Sequence, residues 1–422
     1  MTMLKTSAKL LSIVLSLVLV TTYIAALSHL AAWAYSGEYL KESDYFYRID
    51  NEKITILRYV GNDAQVIIPT KIAGYDVVSI GANSEQESYM HYETDPYGGV
   101  AVSYYGVFTD YSTITSVTIP AGIASIGYNA FGNCKNLISI TIPDSVTEIS
   151  EMAFTGCTDL NAIHIPRGVT NIGEFAFDGL ANCISFIVDE QNSNYSSKDG
   201  VLYNKEQTSL LKIVVTKGLT DFVILDSVST VEDCAFDDCK ELTSISIPSN
   251  VKNIGKAAFY NCVELKTVNL PEGLTSIKSH TFLNCGNLKS INIPETVEYI
   301  ESGAFSGCVN LVSIKIPKNT SVEPYAFYGC EELTISCYKN SDAHELAQNF
   351  DIDYILLDIE EKLGDVDLDG KVTIKDATLI QKYLAKMVKL TKQKNSFADF
   401  NHDGKVNIKD ATAIQKFIAK IV

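Results

Sequence analysis

Positive charge is scarce in this chain. Lys and Arg number 34 against 51 Asp and Glu, a formal net charge of −17, which argues against a nucleic-acid binder. Histidine is also sparse, and His29, His91, His164, His280, His344 and His402 are scattered without a matching Ser/Asp set for a nucleophilic triad. There is no C-x-x-C pair and no His/Cys cluster, so zinc spacing is lacking. Past the first residues no apolar run is long enough to hold the chain in a membrane or wall. No stretch outside the two patterns described below is large enough for a separate catalytic domain.

What is present is globular: 422 residues, 46% hydrophobic and 20% charged, with room for two or three domains. The charge is uneven. From Gly364 onward there are 11 Lys against 7 Asp, or +4, leaving about −21 for the rest. An acidic body and a basic tail suggest two modules with different partners. At the N-terminus Lys5 and Lys9 precede LLSIVLSLVLV, and small residues end in Ala32-Trp33-Ala34. That is the pattern of a secretory signal, expected to be cut after residue 34. An uncleaved anchor is the alternative, since residues 10–27 are about long enough to span a bilayer. No cysteine precedes Cys134, which excludes a lipid attached through one.

A repeat dominates the middle. Pro120, Pro143 and Pro166 lie 23 apart, as do Pro248, Pro271, Pro294 and Pro317. Phenylalanine keeps the same beat at 108, 131, 154 and 177, then at 236, 259, 282 and 305, with Phe327 one residue early. Within one unit, LISITIPDSVTEISEMAFTGCTD, the apolar positions Ile140, Ile142, Val146, Ile149, Ala153, Phe154 and Cys157 recur in register elsewhere. So short a unit cannot close its own core and must stack on a neighbour. The expectation is a solenoid of short parallel strands with a phenylalanine spine, on the order of 45 Å long for about nine coils.

The pattern IPxxVxxIxxxAFxxCxxL resembles the BspA-like leucine-rich repeat of bacterial surface and secreted proteins. The resemblance implies an α/β solenoid of about nine 23-residue coils over 37–357. YFYRIDNEKITILRYVGNDAQVIIP resembles its opening cap and YKNSDAHELAQNFDIDYILL its closing cap. Two insertions break the beat, at about 82–107 and 189–224. The second resembles a hairpin excursion common in such proteins. The first carries Tyr89, Tyr92, Tyr97, Tyr104 and Tyr105 among acids. It either packs on the body or stacks on sugars or a peptide. Ten cysteines in an exported chain invite disulfides. Yet Cys134, Cys157, Cys239, Cys262, Cys285, Cys308 and Cys330 share one repeat position and should be buried as small apolar residues. Cys183, Cys234 and Cys337 lie off this column. Mostly free buried thiols are expected, and with them an oxygen-poor habitat such as that of an anaerobic bacterium.

The tail contains DVDLDGKVTIKD at 365–376 and, in the same register 34 residues on, DFNHDGKVNIKD at 399–410. Asp365, Asp367, Asp369, Lys371, Thr373 and Asp376 align with Asp399, Asn401, Asp403, Lys405, Asn407 and Asp410. These are positions 1, 3, 5, 7, 9 and 12 of a calcium loop, with Gly370 and Gly404 at its sharp turn. Position 7 offers its carbonyl, and position 9 acts directly or through water. Repulsion among the acids is relieved when a cation arrives, which couples binding to folding. Position 12 is Asp in both loops rather than the usual Glu, and no helix pattern precedes the first loop.

Loop then helix, twice, over 364–422 closely resembles a type I dockerin, a small all-α calcium-binding module joined here by a short linker at 358–363. The resemblance implies two Ca²⁺ ions and a cohesin partner on a scaffoldin of a cellulosome-like assembly. Ile380, Tyr383, Leu384 and Met387, and likewise Ile414, Phe417, Ile418 and Ile421, form stripes expected to pack the helices together. The other face presents Ile374, Lys375, Gln381 and Lys382, mirrored by Ile408, Lys409, Gln415 and Lys416. In dockerins these positions contact cohesin. Many carry Ser-Thr where this chain has Ile-Lys twice, which leaves the identity of the cohesin open. Because both copies show the same surface, either could engage after a half-turn. A lysine-bearing face predicts an acidic rim on the partner.

The function expected is a secreted, noncatalytic binding protein in a polysaccharide-degrading context. Its tail docks while its body recognises a polysaccharide, protein or cell-surface ligand. The alternative is a dockerin-bearing hydrolase, glycosidase or peptidase, with an unrecognised site on the solenoid.

Overall fold

The computed structural model describes residues 40–82, 89–94, 100–108, 111–214, 218–359 and 362–420, with backbone only at 89–94 and 100–105. The proposed signal segment lies outside the described residues. The chain divides into two compact units, residues 1–200 and 201–422. Each contains stacked coils, and the second also contains the helical tail.

A coil makes two short strands and a run of turns. The first strand is the Ser-Ile-Thr type, with its central residue inward. In the first unit Ser139–Thr141 pairs in parallel with Ser116–Thr118, which pairs with Gln65–Ile67. The second strand is two residues long: Ser125–Ile126, Glu148–Ile149 and Asn171–Ile172 form one parallel ladder. The same registers recur in the second unit, as in Ser290–Asn292 with Ser313–Lys315 and Tyr299–Ile300 with Ser321–Val322. The AFxxC segment is a run of turns and not a helix. A small residue and a ring can therefore enter the core where a helix would not fit the 23-residue period.

The phenylalanines form the expected spine within each unit. Phe108, Phe131 and Phe154 stack with centroids 5.0 and 5.3 Å apart and planes within 3° of parallel. Phe259, Phe282, Phe305 and Phe327 do the same at 5.3–5.5 Å. All ten cysteines are free and buried, including the three off the column.

The column cysteines also do something not anticipated from sequence. Six of the seven donate the thiol hydrogen to the phenylalanine carbonyl of the preceding coil, while Cys239 turns to Asp237 O of its own coil. Cys157 Sγ reaches Phe131 O at 3.0 Å, Cys262 reaches Phe236 O at 3.1 Å, and Cys308 reaches Phe282 O at 3.1 Å. The thiol is small enough for the core and still satisfies a buried carbonyl between rungs.

Both ends are closed as expected. At the start, Tyr45–Asp50 and Lys53–Tyr59 form an antiparallel pair, and the second strand joins Tyr75–Ile80 in parallel. At the end, helix α1 (Asp342–Asn349), capped by Ser341, leads into Asp353–Leu356, the last strand of its ladder. The first insertion folds as an antiparallel hairpin, Tyr89–Thr94 against Val100–Tyr105. The second insertion includes an antiparallel pair, Val201–Asn204 against Ser209–Lys212, which rejoins the parallel ladder at Thr230–Val231.

Three helices follow: α2 (Ile374–Leu384), α3 (Lys392–Ala398) and α4 (Ile408–Ile418). Helices α2 and α4 cross over a small core of Val366, Ala377, Ile380, Leu390, Ala398, Ala411 and Ile414. The stripes expected from sequence are only half right. Ile380 and Ile414 are buried, but Leu384, Met387, Phe417 and Ile418 are exposed. Alanines at the crossing let the axes approach closely. Both helices end soon afterwards, so their last-turn side chains project past the contact. Ile421 lies outside the described residues.

Candidate functional site

Each acidic loop is organised around its own backbone. In the first, Asp365 Oδ1 accepts from Asp369 N at 3.1 Å and Oδ2 from Gly370 N at 2.8 Å. Asp367 Oδ1 accepts from Asp369 N at 3.1 Å, and Asp369 Oδ1 from Lys371 N at 2.9 Å. The second loop repeats this: Asp399 accepts from Asp403 N and Gly404 N, Asn401 from Asp403 N, and Asp403 from Lys405 N. Gly370 and Gly404 have φ of +91° and +80°, and a Cβ there would meet nothing within 4 Å. The glycine requirement is thus one of backbone conformation and not of space. Leu368 and His402, at position 4 of each loop, are also left-handed.

Carboxylate oxygens of Asp365, Asp367 and Asp369 all lie within 4.8 Å of one another. Asp365 is only 3% exposed. Burial first, and then the charges of Asp376 and Asp369, push the Asp367 carboxyl above its usual range. Three converging acids, one of them buried, form an all-oxygen donor set of the kind a hard divalent cation takes. The residues present therefore fit calcium chemically, and an ion would relieve the repulsion that raises Asp367.

Position 12 behaves differently. Asp376 is fully buried. Its Oδ1 accepts from Val366 N and Asp367 N at 2.7 and 2.9 Å, and its Oδ2 from Thr373 N at 2.8 Å and Thr373 Oγ1 at 3.2 Å. Asp410 matches it, accepting from Asn401 N at 3.1 Å and Asn407 N at 2.8 Å. These acids latch each loop to the helix that follows. Thr373 and Asn407, at position 9, are the helix N-caps, and each completes a capping box with its Asp. Asn407 Nδ2 also donates to the Lys405 carbonyl at 2.9 Å. The capping role was missed in the sequence, although T-x-x-D and N-x-x-D before an apolar run signal it.

The proposed partner face is open to solvent. Ile374 and Ile408 are 57% and 56% exposed. Lys375, Gln381, Lys382, Lys409 and Lys416 are exposed, and Gln415 is half-buried. The two copies thus present nearly matched surfaces.

The helical module also packs against the closing cap. Leu368 and Phe397 belong to the same apolar cluster as Cys337, Leu346, Tyr354 and Leu356. Leu356 N donates to Gln393 Oε1 at 2.9 Å, and Gln393 Nε2 donates back to Leu356 O at 3.2 Å. The carboxamide stands in for the next strand at that residue. Lys339 Nζ donates to Leu368 O at 2.9 Å, and Lys392 Nζ to Thr334 Oγ1 at 3.0 Å. No sequence signal singled out Gln393 or Phe397, because a contact between modules leaves no period.

Comparison with known proteins agrees with this architecture. Six copies of the BspA type leucine rich repeat region match at 104–218 and 214–334, and the dockerin type I domain matches at 363–419. Among solved structures, the chain is similar to a leucine rich cell surface protein from Faecalibacterium prausnitzii A2-165. That similarity has 26% identity and a TM-score of 0.51, covering 74% of this chain and 97% of the other. It also shares its fold with the pneumococcal vaccine antigen PcpA, at 18% identity and a TM-score of 0.56, covering 76% of this chain and 99% of the other. No curated protein matches. Type I dockerins bind calcium and take cohesin as partner. No described helix is long and apolar enough to cross a membrane. The chain belongs to the BspA-type leucine-rich repeat proteins and ends in a type I dockerin domain.

Proposed function

We propose that this protein is a secreted, noncatalytic component of an extracellular assembly. Its dockerin, 364–422, plugs into a cohesin, and its repeat body, 37–357, recognises a ligand in a polysaccharide-degrading context. The single observation that supports this reading best is the duplication. Two loop-helix units repeat their hydrogen-bond networks 34 residues apart and leave paired Ile-Lys faces exposed. A structural tail end would need neither two copies nor two open faces.

In this reading two calcium ions bind, one in each loop. Asp365, Asp367, Asp369 and the Lys371 carbonyl would hold the first, with Thr373 at position 9 and Asp376 at position 12. Asp399, Asn401, Asp403, the Lys405 carbonyl, Asn407 and Asp410 would hold the second. The ion supplies charge compensation, and the chain itself supplies the latch that ties each loop to its helix. Ile374, Lys375, Gln381 and Lys382, or their copies Ile408, Lys409, Gln415 and Lys416, would contact cohesin, with the lysines meeting an acidic rim.

Pull-down of the full chain on a panel of cohesins tests this. Capture by at least one cohesin in calcium, lost in excess chelator and restored by added calcium, is the expected result. Capture by none, or capture indifferent to chelator, contradicts it.

A further inference from the structure

The seam between the closing cap and the dockerin forms a half-open cavity of about 950 Å³, the size of a small-ligand site. One wall comes from the last coil and α1 and the other from Tyr383 of α2, the segment that follows it and the first turn of α3. Three rings line it with much of their surface uncovered: Tyr325 at 60%, Tyr328 at 70% and Phe350 at 47% exposure. Tyr325 and Phe350 meet edge to face at 5.8 Å. Rings held this way are not core residues that failed to find a place. They are apolar platforms open to a ligand face.

The polar groups narrow the ligand class. Glu331 and Glu332, both exposed, bring carboxylate acceptors. Asn395 also lines the cavity, and its Oδ1 is buried without a hydrogen-bond partner. Three lysines line the site, Lys389 bonded to Asp351 at 2.6 Å, Lys392 bonded to Thr334, and Lys394, against the four acids Glu331, Glu332, Asp351 and Asp353. The site therefore offers acceptors and ring faces more than cationic donors, which favours a neutral ligand rich in hydroxyl groups over an anionic one. A peptide cannot add here as a strand at Leu356, because Gln393 already takes both its backbone groups.

We propose that this cavity is a binding site for a short neutral oligosaccharide, with sugar rings on Tyr328 and Phe350 and hydroxyls donating to Glu331 and Glu332. The proposal deepens the reading of the body as a ligand-recognising module and rests on it. It places the site where body and dockerin meet, so the dockerin supplies one wall of the binding cleft as well as the plug.

Calorimetric titration of the full chain in calcium with cellohexaose, xylohexaose and mannohexaose tests it, with hexagalacturonate as the acidic comparator. At least one neutral hexasaccharide should bind saturably and more tightly than hexagalacturonate. Tyr328→Ala should weaken that binding about three- to tenfold, the scale of one lost ring contact. Glu331→Gln with Glu332→Gln should weaken it as well, with the melting temperature unchanged. No saturable binding of any neutral hexasaccharide, preference for the acidic one, or full affinity in Tyr328→Ala overturns the proposal. Cohesin capture is measured on the same samples. Sugar binding lost with capture intact removes this site alone, and capture lost with sugar binding intact removes the docking reading alone.

Discussion

Two small details at each rung decide whether the coils stack. One is the residue just before each column cysteine. Asn133, Gly156, Asp238, Asn261, Asn284, Gly307 and Gly329 all have positive φ, and Asn, Asp and Gly are the types that tolerate it. The pattern AFx[NGD]C states this in the sequence, but it is masked by the stronger apolar beat. At Gly307, φ is +71° and an added Cβ would lie 2.4 Å from Asn284 Oδ1. Gly307→Val should therefore destabilise the body by about 1–2 kcal/mol from backbone strain alone, read as a lower denaturation midpoint. The other detail is the thiol. Burial raises Cys157, Cys285 and Cys330 each to about 12, and each thiol donates to a carbonyl. Reactivity needs the thiolate, so native protein at pH 8 should react negligibly with a thiol reagent, and ten thiols should appear after unfolding. Rapid native reaction of several cysteines would contradict the thiol ladder. The sequence showed that the column is buried but not that it donates, since a period reports position and not partner.

At the scale of elements, the closing cap is the place to look. His344 in α1 is buried and edge-on to Tyr354 at 4.8 Å, and its Nδ1 accepts from Asn340 N at 3.1 Å. Burial and then the charges of Lys394 and Lys339 lower its pKa below 6.5, with Asp358 and Glu345 opposing. A base with a depressed folded pKa stabilises while neutral. Its contribution is therefore complete above about 6.5 and is lost as pH falls through the lower folded value. Amide protection factors in α1 and in strand Asp353–Leu356, corrected for the intrinsic exchange rate, should fall on acidification across that window, and less so in His344→Phe. The same strand depends on α3. Phe397→Ala removes a ring 8% exposed from the cluster it shares with the cap and should cost about 3 kcal/mol. Gln393→Ala should cost about 1 kcal/mol and speed exchange at Leu356. Unchanged exchange there in both variants would show that the dockerin does not close the body. Caps and loops were legible because local patterns specify them. The seam was not, because Gln393 meets Leu356 across 37 residues with no repeat to announce it.

The whole molecule joins a repeat body that carries most of the negative charge to a tail with a small positive excess, and the contacts across their seam are led by lysines. That the chain combines a leucine-rich repeat region with a dockerin was readable from sequence because both repeat internally. The helix stripes were over-read, since Leu384, Met387, Phe417 and Ile418 are exposed, where short helices run out beyond their crossing. The central claim is that the tail acquires its docking form around two cations. The most direct measurement is a calcium titration of the metal-free full chain, followed by calorimetry and far-ultraviolet circular dichroism. The account predicts two ions bound per chain, a gain of helix on binding, and one ion lost in each of Asp365→Ala and Asp399→Ala. Absence of calcium binding, or a helical signal and cohesin affinity unchanged after complete metal removal, would contradict it.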